Sequence, residues 1–248
     1  MVVLTDRGTI MTLAKRHVVI LGGTSGMGLA TARLLVDEGA HVVVTGRDRD
    51  KTNRAALELG PGVGSAAFDA GDADAFSSFV DSLDAVDHIV SFTGLQPAAP
   101  VGDADHDMFA SAFDARVWAA RNACAFAAPR MPSDGAFVFC SGLSAARPRA
   151  GRSAGAVATA ALESLCRAMA VELAPLRVNA ICPGPFETEV LRRALGPDAD
   201  ARIVQLAKNV PLGRIGQPRE IAHAVQFLLT NTYTTGITLR VDGGTLLI

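Results

Sequence analysis

A short apolar run, HVVILG (17–22), leads into GGTSGMG (22–28), and an amphipathic stretch, GMGLATARLLVDEG (26–39), grows out of it. The glycines at 22, 26 and 28 are spaced G-x-x-x-G-x-G. Placed there, glycine permits a tight turn between strand and helix and a close approach of other atoms to the backbone. A strand, a glycine turn and a helix in immediate succession constrain everything that follows. The helix has to pack back on a sheet, and its chain has to return in a parallel strand with a right-handed crossover.

The remaining segments meet that demand. Strands are expected at 41–46, 63–68, 87–92, 135–141, 176–184 and 237–244, and helices at about 50–59, 72–83, 105–128, 152–173 and 218–230. This alternation predicts an α/β fold: a single-domain, doubly wound, Rossmann-type parallel sheet flanked by helices. Residues 1–14 are expected to be an N-terminal extension, partly disordered, with Met11 as an alternative start; 15–248 would be the domain. Of 248 residues 49% are hydrophobic and 19% charged, which suits one domain with a large core. Net charge is −2 with the signs interspersed, so neither a nucleic-acid nor a membrane partner is expected. The cysteines at 124, 140, 166 and 182 form no CxxC pair, which predicts reduced, buried thiols in a cytoplasmic protein. No export pattern precedes the first strand.

The turn at 22–28 also prepares a phosphate site. Free N–H groups and the dipole at the start of the following helix favour a pyrophosphate, which makes Gly22, Thr24, Ser25, Gly26, Met27 and Gly28 candidate dinucleotide contacts. The second strand ends VVVTGRDRD. An acid at that strand end would accept from a ribose 2′-hydroxyl. Here the position holds Arg47, whose guanidinium suits a 2′-phosphate, with Asp48 immediately after. NADP(H) is therefore expected in preference to NAD(H).

From about 14 to 248 the chain resembles the short-chain dehydrogenase/reductases. The likeness is carried by GGTSGMG, Asp69 after the third strand, RVNAICPGPFET (177–188), PLGRIGQPREIAHAVQFLL (211–229) and the terminal VDGG (241–244). The resemblance implies that Asp69 and Ala70 face an adenine, that Gly94 lines a nicotinamide ribose, and that Pro183, Gly184 and Thr188 border the nicotinamide. It also implies a homotetramer or homodimer formed through the helices at 105–128 and 152–173.

The same comparison predicts a divergent member that lacks the family's Ser-Tyr-Lys-Asn residues. Gly155 stands at the tyrosine position and Thr159 at the lysine position; Gly142 takes the serine's place, with Ser141 just before it, and Arg116 takes the asparagine's. The only tyrosine is Tyr233, and no lysine lies between Lys51 and Lys208. Hydride transfer to a carbonyl leaves an alkoxide that needs a proton within hydrogen-bond reach. Ser141 and Arg116 are the candidate catalytic residues, Arg116 as a fixed cation for an oxyanion or as a partner of Asp114. Arg147, Arg149 and Arg152 form a basic loop nearby, and 185–212 is expected to cover the pocket as a lid.

Three functions stay open. The first is an NADP(H)-dependent oxidoreductase acting on a small-molecule carbonyl or alcohol through an atypical site. The second is a lyase, isomerase or cyclase on the same scaffold, its pocket widened by small residues at 153–162. The third is a catalytically inactive NADP(H) binder.

Overall fold

Strand β1 (His17–Leu21) is buried from Val18 onward because parallel neighbours flank it on both sides, β2 (His41–Gly46) and β4 (His88–Ser91). Further pairing with β3 (Gly64–Ala67), β5 (Ala136–Cys140), β6 (Arg177–Pro183) and β7 (Thr238–Val241) gives one seven-stranded parallel sheet, ordered β3-β2-β1-β4-β5-β6-β7. The computed structural model describes residues 11–94 and 97–248. The expected extension at 1–14 lies outside the described residues for all but its last four positions.

The period-two alternation of a strand divides the core in two. Val18 and Ile20 point to a layer containing α1 (Gly26–Asp37), α2 (Arg49–Leu59) and α9 (Pro218–Thr230). Val19 and Leu21 point to the opposite layer, with α3 (Ala73–Asp81) and α6 (Ser153–Glu172). The helix expected at 105–128 is a composite in that second layer. It comprises α4 (His106–Phe113), a π-helical turn (Asp114–Trp118), α5 (Ala119–Asn122) and a second π turn (Ala123–Ala127).

Several helix starts are written in the sequence as side-chain caps. Asp48, Asp72, Asp105 and Thr188 accept from the backbone N–H groups of Lys51, of Asp74 and Ala75, of Met108 and of Leu191. Thr188 opens α7 (Glu189–Leu195), which is followed by α8 (Ala199–Lys208), so the segment expected to act as a lid carries two helices. Helix α6 is long and apolar enough to span a membrane by length and composition alone. Here its Ala154, Gly155, Ala158, Thr159, Leu162, Cys166 and Ala170 form a buried stripe, and part of that stripe belongs to the core beside β5 and β6.

Because β3 is followed by β4 on the far side of β1, the order in which strands are added reverses between β1 and β4. Ligands of open parallel sheets bind at such a reversal, outside the carboxyl ends of the strands. The turn at 22–28 and residues 92–94 lie there.

Candidate functional site

The β1–α1 turn holds Gly22 at φ +76° and Gly26 at φ +53°, conformations that side chains rarely tolerate. Gly28 lies so close to Gly22 that a Cβ there would come within 2.1 Å of the Gly22 carbonyl oxygen. Ser25, the N-cap of α1, makes no side-chain capping bond, and no acid stands in the helix's first turn. The leading N–H groups are thus left to an anion, with no acid in the first turn to repel one. A Cβ on Gly26 would sit 3.3 Å from Thr188 Cγ2, which brings the start of α7 against the turn. Thr24 lies against Gly46 at the end of β2, and Arg47 beyond it is exposed. Met27 packs beside the core of the α1 layer, and its carbonyl accepts from Thr31.

The other expected contacts follow the neighbouring strand ends. Asp69 accepts from Gly71 N at 2.9 Å, and Asn122 Nδ2 donates to the carbonyls of Ala70 and Gly71, each at 3.1 Å. Asn122, buried on α5, therefore shapes the Asp69–Ala70 turn from beneath. Its signal in the sequence was a lone amide among alanines. Gly22 is in contact with Phe92 and Thr93, just ahead of Gly94. Pro183 ends β6, and Gly184 is so close to Asp242 that a Cβ would clash at 2.6 Å. The predicted residues thus stand at or just beyond the carboxyl ends of β1, β2, β3, β4 and β6.

The two predicted catalytic residues also come together. Arg116 leaves the first π turn, which packs against α6, and is 5% exposed. Its Nη1 donates to the carbonyls of Cys140 at 2.6 Å and Ser141 at 3.2 Å. A Cβ on Gly94 would lie 2.3 Å from Nη2, so the guanidinium fills the space that glycine vacates. Among the described residues no carboxylate pairs with Arg116; the alternative partner, Asp114, is exposed. Burial lowers the Arg116 pKa from its ordinary value, because the charge has left water without a counter-ion.

Gly155, Thr159 and Glu163 follow one another at intervals of four on α6 and so share a face. Thr159 is fully buried; its hydroxyl donates to the Gly155 carbonyl and meets Ser144 Oγ at 3.2 Å. The Ser141 hydroxyl, 3% exposed, donates to Glu163 Oε1 at 2.5 Å. Glu163 was not anticipated, although it is the only acid between Ser153 and Val171. Ser153 Oγ is buried with no partner. Tyr233 is fully exposed, and Arg147 is tied to the Thr245 carbonyl at 3.0 Å. All four cysteines are free and buried, and burial pushes the Cys140 thiol up to about 11.

The fold agrees with the comparisons to known proteins. A family model described as enoyl-(acyl carrier protein) reductase matches residues 22–245. The short-chain dehydrogenase/reductase ucsE of Acremonium sp is 32% identical over 95% of this chain and 97% of its own length. L-sorbose reductase from Gluconobacter frateurii, solved with NADPH and L-sorbose, superposes with a TM-score of 0.91 at 27% identity, over 97% of this chain and all of that one. A short chain oxidoreductase from Pseudomonas aeruginosa PAO1, described as containing an atypical catalytic center, gives 0.87 at 29% identity over 94% of this chain and 98% of that one. The chain belongs to the short-chain dehydrogenase/reductase superfamily.

Proposed function

We propose that this protein is an NADP(H)-dependent oxidoreductase acting on a small carbonyl or alcohol compound without a tyrosine–lysine pair. The observation that carries the reading is the β1–α1 turn. Gly28 and Gly22 meet there with no room for a methyl group, below a helix start with neither a side-chain cap nor an acid. Such a turn fits a pyrophosphate. Gly22, Thr24, Ser25, Gly26, Met27 and Gly28 would hold it, with Thr188 across from Gly26. Arg47 would take the 2′-phosphate, Asp69 and Ala70 the adenine, and Gly94, Pro183 and Gly184 the nicotinamide half. NADP(H), when bound, supplies or accepts the hydride.

This chain's own groups then position the carbonyl and manage charge. Gly155 and Thr159 stand at the family's tyrosine and lysine positions, and Gly142 at its serine. Arg116 does not release a proton at neutral pH, so its part is to hold an anionic group rather than to protonate one. The Ser141 hydroxyl is already spent as a donor to Glu163, which leaves its lone pairs as acceptors. Protonation of an alkoxide then falls to water or to the substrate itself. The likeness to a short chain oxidoreductase with an atypical catalytic center supports a working site of unusual composition. The helices α4 to α6 would join the subunits of a homodimer or homotetramer.

The test is NADPH oxidation across a panel of aldehydes, ketones and oxo acids, run beside a direct NADPH titration. Consumption of NADPH with a matching alcohol product is expected. Bound NADPH with complete silence across the panel would sink the redox reading in favour of an inactive binder, and turnover without cofactor would favour a lyase or isomerase.

A further inference from the structure

The guanidinium of Arg116 uses only part of its hydrogen-bonding capacity. Nη1 holds two carbonyls at the end of β5, whereas Nε is buried without a partner. Nη2 likewise has no hydrogen-bond partner among the described residues and lies beside Gly94. Nε and Nη2 form one edge of the guanidinium fork, the edge that matches the two oxygens of a carboxylate. Arg177, also buried, shows what a purely structural arginine does in this fold. It spends both terminal nitrogens, Nη1 on the Leu228 carbonyl and Nη2 on the Leu229 carbonyl, at the end of α9.

A buried charge without a counter-charge is costly unless something answers it. No acid of the described chain answers Arg116, and Gly94, which covers its free edge, is itself exposed to the crevice.

We propose that the Nε–Nη2 edge of Arg116 seats the carboxylate of the substrate, and that the substrate is an oxo acid or hydroxy acid. This deepens the oxidoreductase reading by naming the class of compound and rests on it for the reaction, but not for the binding. A neutral ketone would leave the buried cation unanswered, so the site discriminates by charge.

Binding is tested on the full chain without cofactor, using sodium formate and sodium acetate as probes against sodium chloride at equal ionic strength. Calorimetry should show saturable binding of formate or acetate to the wild type, with chloride at least tenfold weaker. Arg116→Met should weaken the carboxylates tenfold or more, whereas Arg116→Lys should retain part of the affinity. If Arg116→Met does not fold, the wild-type contrast and Arg116→Lys decide. Equal binding of chloride and carboxylate, no binding of either carboxylate, or full affinity in Arg116→Met would overturn the seat.

Turnover is tested with matched pairs, each an oxo acid and its methyl ester, in the presence of NADPH. A KM at least tenfold lower for the acid, lost in Arg116→Met with kcat changed less, is expected. Equal KM values for acid and ester overturn the proposal. Carboxylate binding through Arg116 in a protein that neither binds nor consumes NADPH would refute the redox reading while upholding the seat.

Discussion

Ser141 at the end of β5 donates its hydroxyl to the carboxylate of Glu163 on α6 at 2.5 Å, across 22 residues of chain. The same residue's carbonyl accepts from Arg116, so one backbone position is held from two helices. A hydrogen bond to a charged acceptor contributes about 1.5–3 kcal/mol net. Ser141→Ala and Glu163→Ala should each lower unfolding free energy by about 1–3 kcal/mol. The double variant should lose less than the sum, because both remove the same bond. Urea denaturation of the four proteins measures the coupling, and strict additivity would show the bond to be idle.

Gly28 offers a sharper test of the crevice. Its Cβ would meet the Gly22 carbonyl oxygen at 2.1 Å, and the obstacle is backbone, which has no rotamer by which to escape. Gly28→Ala must therefore open the turn. NADPH affinity should fall at least tenfold, about 1.4 kcal/mol, by fluorescence titration. Gly60→Ala is the contrasting case, since a methyl there meets nothing within 4 Å; with φ +116° it carries local strain but leaves the crevice untouched. NADPH affinity equal to wild type in Gly28→Ala would remove the turn from the cofactor site.

Arg47 is exposed beyond the end of β2, and the neighbouring Asp48 is occupied as the N-cap of α2, accepting from Lys51 N at 3.0 Å. On the proposed reading Arg47 is the group that would meet a 2′-phosphate, while Asp48 is partly engaged by the helix start. Arg47→Ala should weaken NADPH by about tenfold to a hundredfold, the loss of one charged hydrogen-bonding partner, and leave NADH within about twofold. Parallel titrations with the two nucleotides read the ratio. Equal losses for both would mean that Arg47 does not distinguish them.

Those three tests draw on different degrees of legibility in the sequence. Strand β1 was expected at 17–22 and runs His17–Leu21, because a glycine pair ends it and nothing else competes for that apolar run. Asp105 marks the start of α4 by its own side chain, as the helical reading required. The π turns at 114–118 and 123–127 were invisible, since they depend on what the helix packs against and not on its own periodicity. Helices α7 and α8 were hidden in a segment whose charges mask a pattern, and Arg192 illustrates this by pairing with both Glu187 and Asp200. Arg116 could be placed near the site from its position in the chain. Its partners could not, because carbonyls carry no signature in sequence. Glu163 was missed for the complementary reason: a partly buried acid on an apolar helix is conspicuous only once its partner across the fold is known.

His88 supplies the last test, in the pH dependence of folding. The ring is fully buried at the start of β4; Nδ1 accepts from Ala136 N at 3.1 Å and Nε2 has no partner. Burial pushes its pKa down to about 4 from an ordinary 6.5. The unfolded chain therefore binds a proton below pH 6.5 that the folded chain refuses until about pH 4. Over that window stability falls as pH falls, by up to about 1.4 kcal/mol per pH unit and roughly 3 kcal/mol in all. Above pH 6.5 both states hold the neutral ring and the contribution is flat. His88→Gln removes the titration, so its stability should change less between pH 7 and pH 4.5 than that of the wild type, by about 2–3 kcal/mol. Urea midpoints at the two pH values measure the difference. Parallel curves for wild type and variant would show that the acid sensitivity originates elsewhere, with the carboxylates Asp87 and Glu220 as the next groups to test, since both are held below their usual range by arginine partners and backbone N–H groups.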